Sequence, residues 1–255
     1  MTVKFSTGLR NAMVGPIGFA GALSNGVIEI RSGPQPVSAD AASTGTLLGV
    51  VTIGSGAMTN EAQASGAITL SGAAGSVNTV TVSTLNIIPD GPVPFNTSIA
   101  QTATDLAEAI NRNGIYTAAA SGAAVTIKPR PGAGAAHNGS VVSATLTTLT
   151  ATYSNMTGGV SAVNALAFAS PVAGTASKPP GKIWSFNGIA SGVAGYFRFV
   201  GSVGDAGAAV SAAPFFVRLD GSVANVGADL NLSNTTVAIG APNTIDSFSL
   251  TMPAQ

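Results

Sequence analysis

Proton transfer near neutral pH calls for a histidine, and the chain has one, His137, in the stretch PGAGAAHNGS. A Ser-His-Asp arrangement needs that imidazole within hydrogen-bond reach of an activated serine, and no G-x-S-x-G elbow is present. His137 is therefore expected to be a solvated loop residue. The run GAGAAHNG follows the opening of a G-x-G-x-x-G dinucleotide fingerprint, but His137 stands where its last glycine belongs. It also comes after Lys-Pro-Arg-Pro instead of opening a helix, so it reads as a loop.

Glycoside hydrolysis needs two carboxyl groups facing one cleft. The candidates are Asp220, Asp229 and Asp246, in LDGS, GADLN and TIDSF. Each lies in turn chemistry, where an aspartate caps backbone more often than it catalyses. Metal binding has little to draw on: one histidine, no cysteine and no D-x-D-x-D-G run. No catalytic, cofactor or metal residue is expected, and the chain is not read as an enzyme. Lys128 and Arg130 in KPRPG form the one basic cluster. It could dock an acidic neighbour or a phosphate, and the expectation is a solvated hairpin tip.

Aromatic residues could serve as a stacking platform for sugar. The stretch KIWSFNGIASGVAGYFRFVG, residues 182–201, holds the only tryptophan, Trp184, together with Tyr196. Its alternation reads as a β-hairpin around a soft NGIASG bend. Phe186 joins Trp184 on one face of its first strand, Phe197 and Phe199 share a face of the second, and Arg198 takes the other. These aromatics are expected to anchor the core. A glycan platform on Trp184 and Tyr196 is the rival.

Charged residues make up 8% of the 255, against a usual ~25%. Ten Lys and Arg balance ten Asp and Glu, which excludes the basic surface a nucleic-acid binder needs. So little charge gives a lone monomer little protection against association, and it suits a protein packed against copies or neighbours. No signal peptide is read in MTVKFSTGLRNAMVGPIGFAGAL, because Arg10 and Asn11 interrupt it. The apolar run near residue 200 is broken by Arg198, Asp205 and Arg218, so no membrane span is expected.

The elements that would position these residues are mostly strands. Ser6 caps a helix over TGLRNAM, with Leu9 and Met13 on one face, ended by Gly15-Pro16; IGFAGAL adds a short turn. VIEIRSG alternates Ile28 and Ile30 inward with Glu29 and Arg31 outward, and TLLGVVTI reads as a strand buried on both faces. Residues 66–160 read as a separate α+β module. It holds AITLSG, SVNTVTVSTLNI, the chain's clearest helix in SIAQTATDLAEAINRNG with a Ser98–Gln101 capping box, a strand-turn-strand over IYTAAASGAAVTIKPRPG, and a Thr-rich strand pair. PFFVRLDGS supplies Phe216 and a turn at Asp220-Gly221. Leu230 with Leu232, and Phe248 with Leu250 and Met252, then recur at period two. The reading is mainly β: a discontinuous sandwich or jelly-roll-like domain from residues 1–65 and 161–255, with the module at 66–160 inserted.

The outer arms resemble a family of small structural proteins of tailed-bacteriophage virions. FSTGLRNAM, GVIEIRSGPQPVSADAASTGTLLG, the 182–201 stretch and GADLNLSNTTVAIGAPNTIDSFSLTMP carry the likeness, over most of residues 1–56 and 164–255. Similar members run directly from the TGTLLG strand to the W-x-F stretch, and this chain departs by its insert. The insert resembles small α+β modules of phage tail and baseplate proteins. The resemblance implies a virion structural role without catalysis or cofactor, assembled in the host bacterial cytoplasm. The expected partners are other virion proteins and further copies of the chain, as a homo-oligomer, with neither nucleic acid nor membrane. An exterior capsid-decorating or cement protein is the leading reading. A tail or baseplate component and a host-glycan adhesin, binding through the insert or through Trp184 and Tyr196, are its alternatives.

Overall fold

The computed structural model describes residues 3–15, 17–212 and 215–252. The protein is mainly β and sandwich-like. It divides into two compact units, one running to Glu61 and resuming at Ala162, the other spanning Ala62–Ser161. The first arm carries β1 (Lys4–Phe5), α1 (Thr7–Val14), α2 (Gly18–Leu23), β2 (Val27–Ser32) and β3 (Leu47–Ile53). The inserted unit carries β4 (Ser65–Ser71), β5 (Ser76–Val82), β6 (Leu85–Asn86), β7 (Val93–Pro94), α3 (Ile99–Asn111), β8 (Tyr116–Ser121), β9 (Ala124–Pro129), β10 (Val142–Thr147) and β11 (Thr150–Thr157). The last arm carries β12 (Thr175–Ser177), β13 (Trp184–Asn187), β14 (Gly192–Val200) and β15 (Arg218–Ala224). It ends with β16 (Leu230–Asn231), β17 (Thr236–Val237), β18 (Pro242–Ile245) and β19 (Ser249–Thr251).

In the discontinuous unit, α1 starts where Ser6 Oγ accepts the Leu9 amide at 3.1 Å, with Leu9 fully buried. The Asp40 carboxylate accepts the Thr7 amide at 3.0 and 3.1 Å, adding negative charge at the positive end of the helix. Gly15 is its C-cap; Pro16, expected to help end it, lies outside the described residues, as does Pro214 of the PFFVRLDGS stretch. IGFAGAL forms the helix α2.

One sheet runs β1-β15-β14-β2-β3-β13-β18, with β16 pairing β15 and β17 pairing β14. This order corrects the expected hairpin. β13 and β14 do not pair with each other, because the β2–β3 hairpin lies between them. Gly188–Ser191 instead passes over the end of β3, with the Ile189 amide donating to Leu48 O at 2.8 Å. β3 pairs with β2 through Val51, then hands Thr52 and Ile53 to β13. The Phe186 ring fills the place a side chain at Gly49 would need. Phe197 does the same at its cross-strand partner Gly221. Both glycines make room for aromatic rings, so Asp220-Gly221 is mid-strand in β15 and not the expected turn.

The enclosed core is aromatic. Trp184, Phe186, Phe197 and Phe199 are each 0% exposed, and Phe168 and Phe248 close the cluster around Trp184 with ring centroids 5.9 Å away. Each fully buried aromatic contributes roughly 2–3 kcal/mol from apolar burial. Ile28 and Ile30 point into this core, while Glu29 and Arg31 are half-buried and paired to each other at 2.8 Å. Strand β3 is buried at Leu48, Gly49, Val51 and Thr52, with no alternation.

The inserted unit has its own core beneath α3. Ser98 Oγ accepts the Gln101 amide at 3.1 Å, and Ala103, Leu106, Ala107 and Ile110 are buried. Only half of the expected capping box forms: Gln101 Nε2 turns to Asp105 at 2.8 Å. A hydrogen bond from Asn96, with that from Gln101, holds the Asp105 carboxyl below the usual carboxylate range. Two sheets flank the core, β10-β5-β6 with β7 on β5, and β11-β4-β9-β8. The expected Thr-rich strand pair is thus split: β10 joins β5 and β11 joins β4, because Thr148 turns the chain in the left-handed region.

Each unit has adjacent ends. Thr59 is bridged to Val163 in one, and Ala62 to Val160 in the other. The second bridge moves the boundary a few residues ahead of the expected 65/66. A chain in which Glu61 is joined to Ala162 through a short Gly-Ser link is expected to fold, because closure entropy changes slowly with loop length. Residues 62–161 are expected to fold alone. Thermal unfolding of the two fragments checks both; an insoluble or non-cooperative product from either would count against autonomy.

Candidate functional site

Charge is scarce in this chain, yet four charged side chains are enclosed at one place on β14, β15 and the loop after β14. Arg198 donates through Nε and Nη2 to both oxygens of Asp220, each at 2.7 Å, and both side chains are 0% exposed. They are direct cross-strand partners in the register of β14 and β15. Arg218 grips Asp205 in the same way at 2.5 and 2.7 Å, and its guanidinium lies 5.3 Å over the Phe216 ring.

The remaining guanidinium N–H groups bind main-chain carbonyls and the Ser43 hydroxyl. Arg198 Nη1 donates to Ala41 O at 3.1 Å and Ser43 Oγ at 3.0 Å. Arg218 donates to Ala208 O at 2.8 Å, and to Ala39 O and Ala41 O at 3.4 Å each. Tyr196 Oη donates to Thr44 O at 2.7 Å and accepts the Thr44 amide at 2.9 Å. Ser43 N donates to Gly207 O at 2.8 Å, and Val210 N to Asp40 O at 2.9 Å. Two loops, 33–46 and 201–212, are therefore fixed by one polar cluster.

Burial disfavours the charge on Arg198, but the hydrogen bonds and charge of Asp220 more than offset it. Its pKa stands above the ordinary guanidinium value. Arg198 thus stays charged at any working pH. With both carboxylates enclosed and gripped bidentately, the cluster offers substrate neither a base nor a free acid. Its chemistry is positional: it makes loops rigid.

The sequence-predicted candidates are scattered. Asp220 is no turn cap; it is the buried half of an ion pair. Asp229 also departs from a self-capping turn, since its Oδ2 accepts Ser222 N at 2.8 Å and Ser222 Oγ at 2.7 Å across a strand. Asp246 is exposed, with no hydrogen-bond partner among the described residues. Only Asp246 of the three thus presents a free carboxylate.

His137 is not the expected solvated residue. It is half-buried at the end of a short 3-10 turn, Gly134–His137, with Nδ1 3.0 Å from Tyr116 Oη and the rings edge to face at 5.3 Å. Burial pushes the Tyr116 hydroxyl pKa up. Lys128 is exposed on β9, but Arg130 is no free hairpin-tip cation. It donates to Gly114 O at 2.9 Å and Asn111 O at 3.2 Å, capping the carboxyl end of α3. Trp184 and Tyr196 are both 0% exposed, so neither is a sugar platform.

Among the described residues no three His, Cys, Asp or Glu side chains converge to hold a metal, and no helix is long and apolar enough to cross a membrane. The paired arginines were missed because Asp220-Gly221 reads locally as a turn. The available signal was Arg198 itself, set between inward Phe197 and Phe199 in a strand with nowhere polar to point. Comparison with protein-family models, with curated proteins and with solved structures finds no match.

Proposed function

We propose that this chain is a non-enzymatic structural component of a tailed-bacteriophage particle, held on the capsid exterior as a decorating or cement protein in many copies. The observation that carries the reading is the distribution of charge in the discontinuous unit. Arg198, Asp220, Arg218 and Asp205 are enclosed, while Val14 and Val37 at 92%, Val226 at 84%, Val172 at 73% and Ile239 at 70% are exposed. Such a surface gives little like-charge repulsion and supplies apolar contacts. Rigid loops reduce the ordering entropy lost on docking. Repeated weak contacts become firm attachment through effective concentration on a shell. The likeness of the outer arms to virion structural proteins points the same way.

A tail or baseplate position is the second structural version, favoured by the insert's likeness to modules of such proteins. The adhesin alternative, which could act through the insert or through Trp184 and Tyr196, loses the second route, since both aromatics are enclosed. Gel densitometry of purified particles tests the proposal. A copy number matching the capsid lattice is the expected result, and a number matching tail symmetry would move the protein to the tail. Its absence from particles would overturn the virion reading.

A further inference from the structure

We propose that the outer face between β17 and β18 binds a neutral sugar. This site is independent of the virion reading and of the aromatic residues considered above. Ser233, Asn234, Thr236, Asn243, Thr244 and Asp246 line a cleft of about 440 Å³, within the range of small-ligand sites. Strand alternation aims them. Val237 is 1% and Ile245 0% exposed, so their neighbours Thr236, Thr244 and Asp246 face out.

This cleft gathers free hydrogen-bonding groups in one concave place. Several hydroxyls elsewhere are spent on one another, Thr79 with Thr145 at 2.6 Å, Thr81 with Ser143 at 2.7 Å and Thr175 with Thr251 at 2.8 Å. In the cleft the hydroxyls of Ser233, Thr236 and Thr244 and the Asp246 carboxylate have no partner among the described residues. Asn234 uses its Oδ1 to accept the Thr236 amide at 2.9 Å, leaving Nδ2 to donate. Asn243 uses its Nδ2 on Ala241 O at 3.0 Å, leaving Oδ1 to accept. Mixed donors and acceptors suit a polyol, whose every hydroxyl does both.

Ala238, Ala241 and Pro242 give the same cleft an apolar wall for the C–H face of a sugar ring. No lysine or arginine lines it, which disfavours phosphate. A single carboxylate is a poor cage for a divalent cation, which takes six or more oxygens. The rim is fixed in advance: Gly188 N donates to Ala241 O at 3.0 Å and Gly240 N to Gly188 O at 2.7 Å. Strand β18 pairs with β13, where Ile245 faces Trp184 in the register.

The test is a titration of the full-length, ¹⁵N-labelled protein with free glucose, galactose, mannose and N-acetylglucosamine, read as amide shifts. At least one sugar is expected to give saturable shifts confined to residues 233–246. Asp246→Ala and Asn243→Ala, both at sites outside the core, should weaken binding about tenfold or more, and Lys128→Ala should leave it unchanged. Absence of shifts with all four sugars would overturn the proposal, as would shifts of undiminished affinity in Asp246→Ala. Calcium chloride giving the same shifts at lower concentration would also overturn it, by making the cleft a cation site.

Discussion

Asp220→Ala should lower the unfolding free energy of the discontinuous unit by about 3–5 kcal/mol, enough to unfold a marginal domain. The loss comes chiefly from what remains behind. Arg198 would stay charged and 0% exposed without its bidentate partner, and the carbonyl of Ala41 cannot neutralise it. Exposed pairs behave otherwise. Arg112 and Asp90 are paired at side-chain exposures of 54% and 58%, and Asp90→Ala should change stability by no more than about 1 kcal/mol. Replacing both buried partners at once, as Arg198→Met with Asp220→Leu, should recover most of the lost stability, because no unpaired charge is left. Urea denaturation followed by Trp184 fluorescence measures the two Asp220 variants, and far-UV circular dichroism of residues 62–161 measures Asp90→Ala. A cost below about 1 kcal/mol for Asp220→Ala would show that Arg198 reaches water, contrary to its burial.

The other large effect belongs to Trp184. Trp184→Ala should cost about 3–5 kcal/mol, the range of large-to-small changes of an aromatic in a packed core. Its ring meets Phe168 and Phe248 at 5.9 Å and Phe199 at 6.3 Å, so truncation removes the centre of the cluster. Its Nε1 has no hydrogen-bond partner among the described residues. Trp184→Phe loses no hydrogen bond and should therefore cost clearly less than the alanine. In the native protein the emission should be blue-shifted and resistant to iodide. Red-shifted, readily quenched emission would contradict the burial.

Local chemistry made the helices legible. Ser6 and Ser98 sit where caps belong, and the apolar spacing of Leu106 and Ile110 turns one face of α3 to its core. The alternation in VIEIRSG likewise told which side chains enter the sheet. Pairing was the part that could not be read. Alternation in KIWSFNG and GYFRFVG identifies two strands but carries no information about which neighbours they take. A hairpin from the other end of the chain, β2–β3, separates them. The same blindness hid the polar cluster. Arg198 and Asp220 meet through cross-strand register, and a turn motif is what a four-residue window sees in LDGS. For the sugar cleft, Asp246 was singled out as an acid for catalysis. Its neighbours on β17 are brought to it by β14 and β13, which no local pattern announces.

The interrupted order of the sheet has a consequence during synthesis. β3 ends at Ile53 and its partner β13 begins only at Trp184, with the whole of Ala62–Ser161 translated in between. At elongation rates of roughly 5–20 residues per second, that gap lasts on the order of ten seconds. The inserted unit has all its strands and its own core by then and can fold first. The β2–β3 hairpin meanwhile waits beside the ribosome with Ile28, Ile30 and Leu48 unsheltered. Unfinished chains are thus most open to mispairing at this early hairpin, and a nascent protein of this design gains from a guest that folds quickly and keeps the two halves of its host close.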